Sequence, residues 1–173
     1  INNWLSVYND EWCKSVSLQL HHLGHNLNMG HSNEDGLGSD DQTGIMGHSY
    51  PNNNGPRLCF NAAKSWQTGW YQDKSITINS SGANTCFDGV LHGIADYPTA
   101  TTVLLRIQNG SSNDTFVSFN AKRGINMGTQ EAGNQVIVVT RPRRGVRDSY
   151  AESELVAKLG SGMTYDFSGY SVA

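Results

Sequence analysis

The sequence predicts an α+β fold, with helices in the first part of the chain and an antiparallel β-sheet or β-sandwich in the second. Three observations indicate this class. Apolar residues within 10–27 recur every three or four positions, as on one face of a helix. A second, shorter helical pattern covers 61–70. After Tyr71 the pattern changes to short β-rich runs bounded by turn residues.

The first helix is expected over 10–27. Asn9 or Asp10 can cap its N-terminus, because either side chain accepts a hydrogen bond from the first unpaired N–H groups. Asn28 stands where the helix should end, and Asn tolerates the left-handed conformation of such a stop. The apolar side chains that we expect to form its core-facing side are Trp12, Val16, Leu20, Leu23 and Leu27.

The rest of the chain divides into a loop, a second helix and strands. Residues 32–57 are rich in Gly, Asn, Asp, Ser and Pro and predict an irregular loop of about twenty-five residues, a length that usually carries function. The second helix, 61–70, is expected to be ended by Gly69. Turn signals such as Asn109-Gly110 separate the β-rich runs. The predicted strands are 75–78, 101–107, 115–120, 135–140 and 154–159.

Composition excludes two classes of partner. A chain of 173 residues can form one sizeable core. Its net charge of −3 and 16% charged residues give too weak and mixed a field to favour nucleic acid or an anionic membrane. Its apolar runs are far shorter than the roughly 20 residues that span a bilayer. We therefore expect no nucleic-acid partner and no membrane span.

Several features are typical of a secreted, extracellular glycoprotein. N-glycosylation sequons begin at Asn79, Asn109 and Asn113. Cys59 and Cys86 could close one disulfide, which suits an oxidising compartment. Cys13 is then left over, either as a buried thiol or as the partner of a cysteine elsewhere. The N-terminus has neither an initiator Met nor a signal peptide, so the chain is expected to be processed or partial.

Three histidines in the first part have the spacing of a zinc site. His21 and His25 lie one helical turn apart, so both imidazoles can point at the same place. A turn at Asn28 can bring His31 back toward them. Zinc binds neutral imidazoles in roughly tetrahedral directions, and a catalytic site keeps one position open for water. The sequence therefore predicts a zinc site with these three ligands.

The stretch HHLGHNLNMGHS at 21–32 resembles the extended zinc motif HExxHxxGxxH of the metzincin metallopeptidases, in the form typical of the gametolysin family. TGIMGHSY at 43–50 is similar to the methionine turn of that family. RLCFNAAKSWQTGWY at 57–71 and the segment 124–136 are similar to later family segments. The resemblance thus extends over most of the chain.

The resemblance implies a secreted zinc endopeptidase that acts on extracellular matrix or cell-wall glycoproteins. It makes 1–72 the C-terminal part of a metzincin-like zinc-binding domain and 73–173 an antiparallel β-sandwich-like domain. Met46 becomes the apolar floor of the site. The family also has an upper subdomain before the zinc helix, which binds substrate by strand addition. Either a separate N-terminal segment or chain supplies it, or this chain does not bind a peptide in the family's way. The implied metal ligands are His21, His25 and His31.

His22 departs from the family pattern at the position of the general-base glutamate, which moves the proton of the attacking water to the leaving amine. An imidazole titrates near pH 6.5, but its protonated form is disfavoured beside a dication. Three interpretations remain open: a zinc site with little or no hydrolysis, a slow enzyme, and either a misassigned glutamate or a fourth metal ligand. The alternative from another class is a non-catalytic structural or adhesive component of an extracellular assembly, stabilised by zinc.

Two further groups are weaker candidates. His48 and Tyr50 follow Met46, where several metzincins place a tyrosine directed toward the metal. They form a potential secondary site, as a fourth ligand or a transition-state donor, with a structural or exposed role as the alternative. An acidic loop could bind Ca²⁺ through hard oxygen ligands, although a solvated loop is the simpler interpretation. Its carboxylates are Asp35, Asp40 and Asp41.

Overall fold

The computed structural model describes residues 4–9, 11–47, 58–79, 85–108, 110–143, 147 and 149–173. This part of the chain contains two α-helices and eight strands, which confirms the α+β class. None of the described helices is long and apolar enough to cross a membrane. The helices are α1 (Val16–Asn26) and α2 (Ala62–Thr68). The strands are β1 (Ser32–Glu34), β2 (Ser75–Asn79), β3 (Leu104–Gln108), β4 (Asn113–Phe119), β5 (Val136–Pro142), β6 (Ser153–Leu159), β7 (Tyr165–Phe167) and β8 (Tyr170–Val172).

Six strands form one mixed sheet in the order β1-β6-β5-β4-β3-β2. The four central strands are antiparallel, whereas β1 pairs in parallel with β6, and β2 in parallel with β3. The five predicted strands are all present as β2 to β6. The predictions missed β1 and the separate β7–β8 hairpin. The second part of the chain thus contributes five strands to the large sheet and forms a second, two-stranded sheet from β7 and β8.

The sheet has an apolar core on each face because successive side chains of a strand point to opposite sides. On one face, Phe116 of β4 and Val139 of β5 pack with Ala62 and Ala63 of α2. On the other face, the next residue of β4, Val117, lies in a second core. Partly buried aromatic residues of the hairpin pack against this second core, namely Tyr165, Phe167 and Tyr170. β1 and α2, which precede residue 73, thus pair and pack with strands that follow it, and the division into 1–72 and 73–173 stays a prediction.

α1 begins later than predicted. Its N-cap is Ser15, whose side chain accepts a hydrogen bond from the N–H of Leu18, and a 3-10 turn at Trp12–Lys14 precedes it. Asn9 does not cap the helix, and Asp10 lies outside the described residues. The predicted stop is confirmed, because Asn28 has a left-handed φ of 64°.

The apolar face of α1 that was predicted to pack in the core is exposed. The helix is buried instead along Ser17, His21 and Gly24. Periodicity locates an apolar face, but it does not tell what covers that face, and none of the described elements does. The relative exposures are 43% for Trp12, 44% for Val16, 40% for Leu20, 53% for Leu23 and 49% for Leu27.

α2 follows its prediction closely. Asn61 caps it by accepting a hydrogen bond from the N–H of Lys64 at 3.1 Å. Gly69 ends it with a φ of 72°, a conformation that costs glycine little. Trp66 reaches from α2 to the sheet, where its ring centroid lies 5.4 Å from that of Phe116. The predicted end at Gly69 is confirmed, whereas Asn61, predicted to be the first helical residue, is the cap that precedes α2.

The predicted disulfide is not present. Cys59 and Cys86 are free thiols. Cys59 packs against the core on the α2 side of the sheet, where burial raises the pKa of its thiol to about 11. Cys86 is exposed and lines a cavity with Val117 on the other face. The sheet therefore separates the two sulfur atoms. Cys13, predicted to be a buried thiol or the partner of a distant cysteine, is exposed.

Candidate metal centre

α1 and the turn that follows it bring three imidazoles together. His21 and His25 come from successive turns of α1, and the left-handed Asn28 turns the chain so that His31 returns just before β1. The ring centroids are 4.8, 5.3 and 4.9 Å apart, and the potential ligand atoms all lie within 4.8 Å of one another. Within the described ranges, this is the only group of three or more His, Cys, Asp or Glu residues that could hold a metal ion.

Two of the imidazoles are oriented by backbone carbonyl groups. Nδ1 of His21 lies 2.8 Å from the carbonyl oxygen of Ile45, and Nδ1 of His25 lies 2.8 Å from that of Met29. A carbonyl oxygen can only accept, so each Nδ1 carries the proton and donates it. The Nε2 lone pairs remain available for a metal ion. Histidine ligands commonly have this outer hydrogen bond, which fixes their tautomer and ring orientation.

The site also favours the neutral imidazoles that metal ions require. Burial lowers the pKa of His21 to about 4, against the opposing effect of its hydrogen bond to Ile45, and the charges of the other histidines lower it further. Burial, followed by the charge of His25, lowers the pKa of His31, while Glu152 acts in the opposite direction. Both rings are therefore ready to donate a lone pair at neutral pH. Together with the geometry, this fits a divalent ion of the kind that binds imidazole nitrogen.

Met46 lies beneath the helix that carries two of the histidines. It is fully buried in a small core with Met29 and Ile45. Its sulfur packs so closely against Gly24 that a Cβ added there would be 2.1 Å from Sδ. The backbone oxygen of Met46 accepts a hydrogen bond from the N–H of Ser32 at 2.9 Å. Met46 thus packs against α1 from a small apolar core, and its role as the floor of a metal site stays a prediction.

An open cavity of about 440 Å³ lies over the triad. Its wall includes Leu5, Val7 and Leu18, so the space beside the imidazoles is largely apolar. The N-terminal segment 4–9 is held there by a hydrogen bond of 2.6 Å from the hydroxyl of Ser6 to the amide oxygen of Asn26. Sequence reasoning missed this segment, because six residues without periodicity give no local signal of where they lie.

His22 lines the same cavity but stands apart from the ligand group. Its ring centroid lies 6.1 Å from that of His21 and 6.2 Å from that of His25, and it packs 4.8 Å from the ring of Tyr8. Burial and then the charge of His25 lower the pKa of His22. His22 is not among the three clustered ligands. The arrangement therefore offers three ligands and places a fourth imidazole at the rim.

The remaining site candidates have different outcomes. His48 and Tyr50 lie outside the described residues. The acidic loop does not form a cluster, because Asp41 is fully buried while Asp35 and Asp40 are exposed. The carboxylate of Asp41 accepts hydrogen bonds from Thr43 and Asn61. Among the described residues, these three carboxylates do not converge as calcium ligands, since that of Asp41 belongs to an internal hydrogen-bond network, whereas Asp35 and Asp40 are solvated as the simpler interpretation had it.

The sequons occupy two kinds of position in the described chain. Asn113 is exposed at the first residue of β4, where its amide is accessible to modification. Asn79 is the last residue of β2 and is half-buried. Asn109 lies outside the described residues. Glycosylation therefore remains a prediction, with Asn113 the more accessible of the two described positions.

Comparison with known proteins gives no relative. No protein-family model, no curated protein and no solved structure matches this chain.

Proposed function

We propose that this chain is a secreted zinc protein of the gametolysin type, which acts on or within extracellular matrix or cell-wall glycoproteins and has weakened or lost peptide hydrolysis. The observation that carries the proposal is the convergence of His21, His25 and His31, two of them with Nδ1 bonded to backbone carbonyls. Three imidazole ligands with one open direction are the ligand set of a catalytic zinc site. Zinc bound there would polarise a carbonyl group and lower the pKa of a water molecule.

The same cavity lacks the second requirement for hydrolysis. None of the described residues that line it carries a carboxylate. His22 is the nearest replacement for a general base, since its position in the sequence is that of the family's glutamate. Its lowered pKa makes the imidazole a weaker proton acceptor. We therefore assign His22 a weak catalytic role at most, and the three-histidine triad the role of binding the metal.

The exposed apolar face of α1 supports the proposal that a partner covers it. Val16, Leu20 and Leu23 are exposed on α1, with exposed Trp12 and Leu27 just beyond its two ends, and contiguous exposed apolar patches commonly mark interaction sites. We propose that a separate N-terminal segment or chain covers this face, while Leu5 and Val7 of the present chain line the metal cavity. Substrate binding by the isolated chain is then expected to be incomplete.

A second candidate function is a non-catalytic structural or adhesive component of an extracellular assembly. The cavity without a carboxylate favours it, since a three-histidine zinc site can stabilise a fold without running a reaction. The exposed apolar face of α1 fits this candidate equally well.

Zinc content and proteolysis distinguish these functions. We would measure bound zinc by elemental analysis and the cleavage of gelatin and cell-wall glycoproteins by the native chain and by His22→Glu. The double variant His22→Glu/His25→Ala is the control, because it restores the carboxylate but lacks a ligand. Cleavage by His22→Glu, absent from the double variant and weak or absent in the native chain, is the expected result.

The other outcomes separate the alternatives. Equal cleavage by the native chain and His22→Glu would contradict weakened hydrolysis. Bound zinc without cleavage by either protein would support the structural component. A native chain that binds no zinc would overturn the site assignment as a whole.

A further inference from the structure

A buried polar cluster connects α2 to the two elements that hold the metal site. At its centre is Asn61, which is only 2% exposed. Its Nδ2 donates to the hydroxyl of Ser32 at 3.0 Å, to the carboxylate of Asp41 at 2.8 Å and to the hydroxyl of Ser153 at 3.1 Å. The partners come from β1, from the loop before Met46 and from β6. One side chain thus joins three segments that are far apart in sequence.

The first connection leads to His31. Ser32 follows His31 directly and is fully buried. Its hydroxyl lies 3.1 Å from that of Ser153, whose backbone N–H donates to the carbonyl oxygen of His31 at 3.0 Å. Asn61 therefore bonds to Ser32, the next residue after His31, and to Ser153, which holds the backbone of His31 from the neighbouring strand.

The second connection leads to His21. Asp41 accepts from the backbone N–H of Thr43 at 2.9 Å, which fixes the turn that precedes Ile45. Ile45 supplies the carbonyl oxygen that orients Nδ1 of His21. Gly44 lets this loop approach closely, since a Cβ added there would be 2.8 Å from the backbone nitrogen of Asn61. Asn61 therefore also sets the distance of the carbonyl-bearing loop from α2.

We propose that Asn61 is a positioning residue of the metal centre, which holds the strand start at His31 and the loop that orients His21 in a fixed relation. The inference rests on the proposed metal site. Asn61 supplies no ligand atom and acts through Ser32 and Asp41. Outer hydrogen-bonding partners of metal ligands typically change metal affinity by about 10–100-fold when they are mutated.

The variant Asn61→Ser separates this role from helix capping. Serine caps a helix about as well as asparagine, so α2 keeps its acceptor for the N–H of Lys64, while the Nδ2 donor is lost. The matched control is Asn120→Ser. Asn120 is also buried, at 5% exposure, and donates to Thr129 and to carbonyl oxygens of residues outside the elements that carry the histidines.

Zinc affinity and the visible spectrum of the Co²⁺-loaded protein are the readouts, together with circular dichroism and thermal unfolding of the metal-free chain. We expect Asn61→Ser to weaken zinc binding by about 10–100-fold and to change the Co²⁺ spectrum. Asn120→Ser should lower the melting temperature but leave affinity and spectrum unchanged. Unchanged affinity and spectrum in folded Asn61→Ser would overturn the proposal.

If Asn61→Ser does not fold, Ser153→Ala provides the same test with a milder change, since it removes one hydroxyl from the cluster and keeps the cap. A several-fold loss of zinc affinity with an altered Co²⁺ spectrum supports the proposal, and a native affinity and spectrum contradict it. A native chain that binds neither Zn²⁺ nor Co²⁺ would instead contradict the metal site itself, so the two failures are distinguishable.

Discussion

The Nδ1 atom of His21 donates a hydrogen bond of 2.8 Å to the carbonyl oxygen of Ile45, twenty-four residues later in the chain. This bond joins α1 to the loop that carries Met46. It turns Nε2 toward His25 and His31, and in the neutral ring it fixes the tautomer that carries its proton on Nδ1. The loop is therefore part of the metal site, although it contributes no ligand among the described residues.

Loss of one histidine of the triad should abolish tight metal binding. We expect His25→Ala to weaken zinc affinity by more than about 100-fold, because even outer-shell changes commonly cost about 10–100-fold. His92→Ala is the matched control, since His92 lies outside the triad. Competitive titration with a zinc chelator measures both affinities. Similar losses in the two variants would contradict the assignment of the ligands.

His22 should contribute little to metal binding. Its ring centroid lies 6.1 Å from that of His21 and 6.2 Å from that of His25. Both distances exceed the 4.8 to 5.3 Å that separate the rings within the triad. We therefore expect His22→Ala to keep its zinc affinity within about threefold of the native value, far below the loss typical of a ligand. The same chelator titration applies. A loss as large as that of His25→Ala would make His22 a fourth ligand.

Gly30 allows the strand that follows His31 to approach β6. A Cβ at this position would be 2.7 Å from backbone atoms of Ala151, which cannot move aside as a flexible side chain can. Gly30→Ala should therefore lower the free energy of unfolding by about 1–3 kcal/mol, as overpacking usually does. Zinc affinity should fall with it. The control is Gly38→Ala, which has no atom within 4 Å and should change stability by less than about 0.5 kcal/mol in chemical denaturation.

Local signals were sufficient for much of this fold. Gly69 ends α2 as the sequence predicted, and the convergence of the triad followed from an i, i+4 pair plus the left-handed Asn28. The three-residue β1 escaped prediction because its sequence, Ser-Asn-Glu, has low β-propensity and pairs only because Ser153 lies opposite. Such pairing is a long-range relation that no local pattern contains.

The same distinction explains the errors about the site. The contacts of Asn61 with Ser32, Asp41 and Ser153 span twenty to ninety-two residues of sequence, so they could not be read from spacing. The burial of Asp41 within the acidic loop escaped the sequence for this reason, because its carboxylate is bonded to Asn61, twenty residues later. Residues whose roles depend on neighbours in the chain were predictable, whereas residues that join distant segments were not.

Lys64 should make stability depend on pH. It is fully buried, and its Nζ donates to the carbonyl oxygen of Ala151 at 2.8 Å. Burial, followed by the charge of Arg141, lowers the pKa of Lys64 from 10.5 to about 7, while Glu152 and Asp41 oppose this effect. Between pH 7 and 10.5 the unfolded chain then binds more protons at this position than the folded chain. Stability should therefore rise with pH across this window, and it should be lost as pH falls toward 7.

Comparison with Lys64→Met isolates this effect. Between pH 7 and 10.5, the free energy of unfolding of the native chain should rise relative to that of the variant by up to about 1.4 kcal/mol per pH unit. The difference in free energy between the two proteins is the quantity to measure, because Cys59 is present in both. Its thiol pKa is raised from 9.0 to about 11, so above pH 9 its titration lowers stability as pH rises. Lys122→Met controls for the loss of one exposed charge. A constant difference between native chain and Lys64→Met from pH 7 to 10 would contradict the prediction.

The exposed apolar face of α1 should make the isolated chain associate with itself. Leu20 and Leu23 are 40% and 53% exposed on this face, so they contribute less to folding than buried leucines do. We expect the double variant Leu20→Gln/Leu23→Gln to change the free energy of unfolding by less than about 1 kcal/mol, taking about 0.5 kcal/mol for each surface position. Light scattering should show less association than in the native chain.

A matched variant in the core gives the opposite pattern. Leu104 is fully buried in β3, and Leu104→Ala should cost about 2–5 kcal/mol without reducing association. If the double variant on α1 unfolds as readily as Leu104→Ala, the face is packed in solution and the sequence-based expectation of a core-facing helix was correct. If it stays folded and monomeric where the native chain associates, the face is a surface that a second segment or chain must cover.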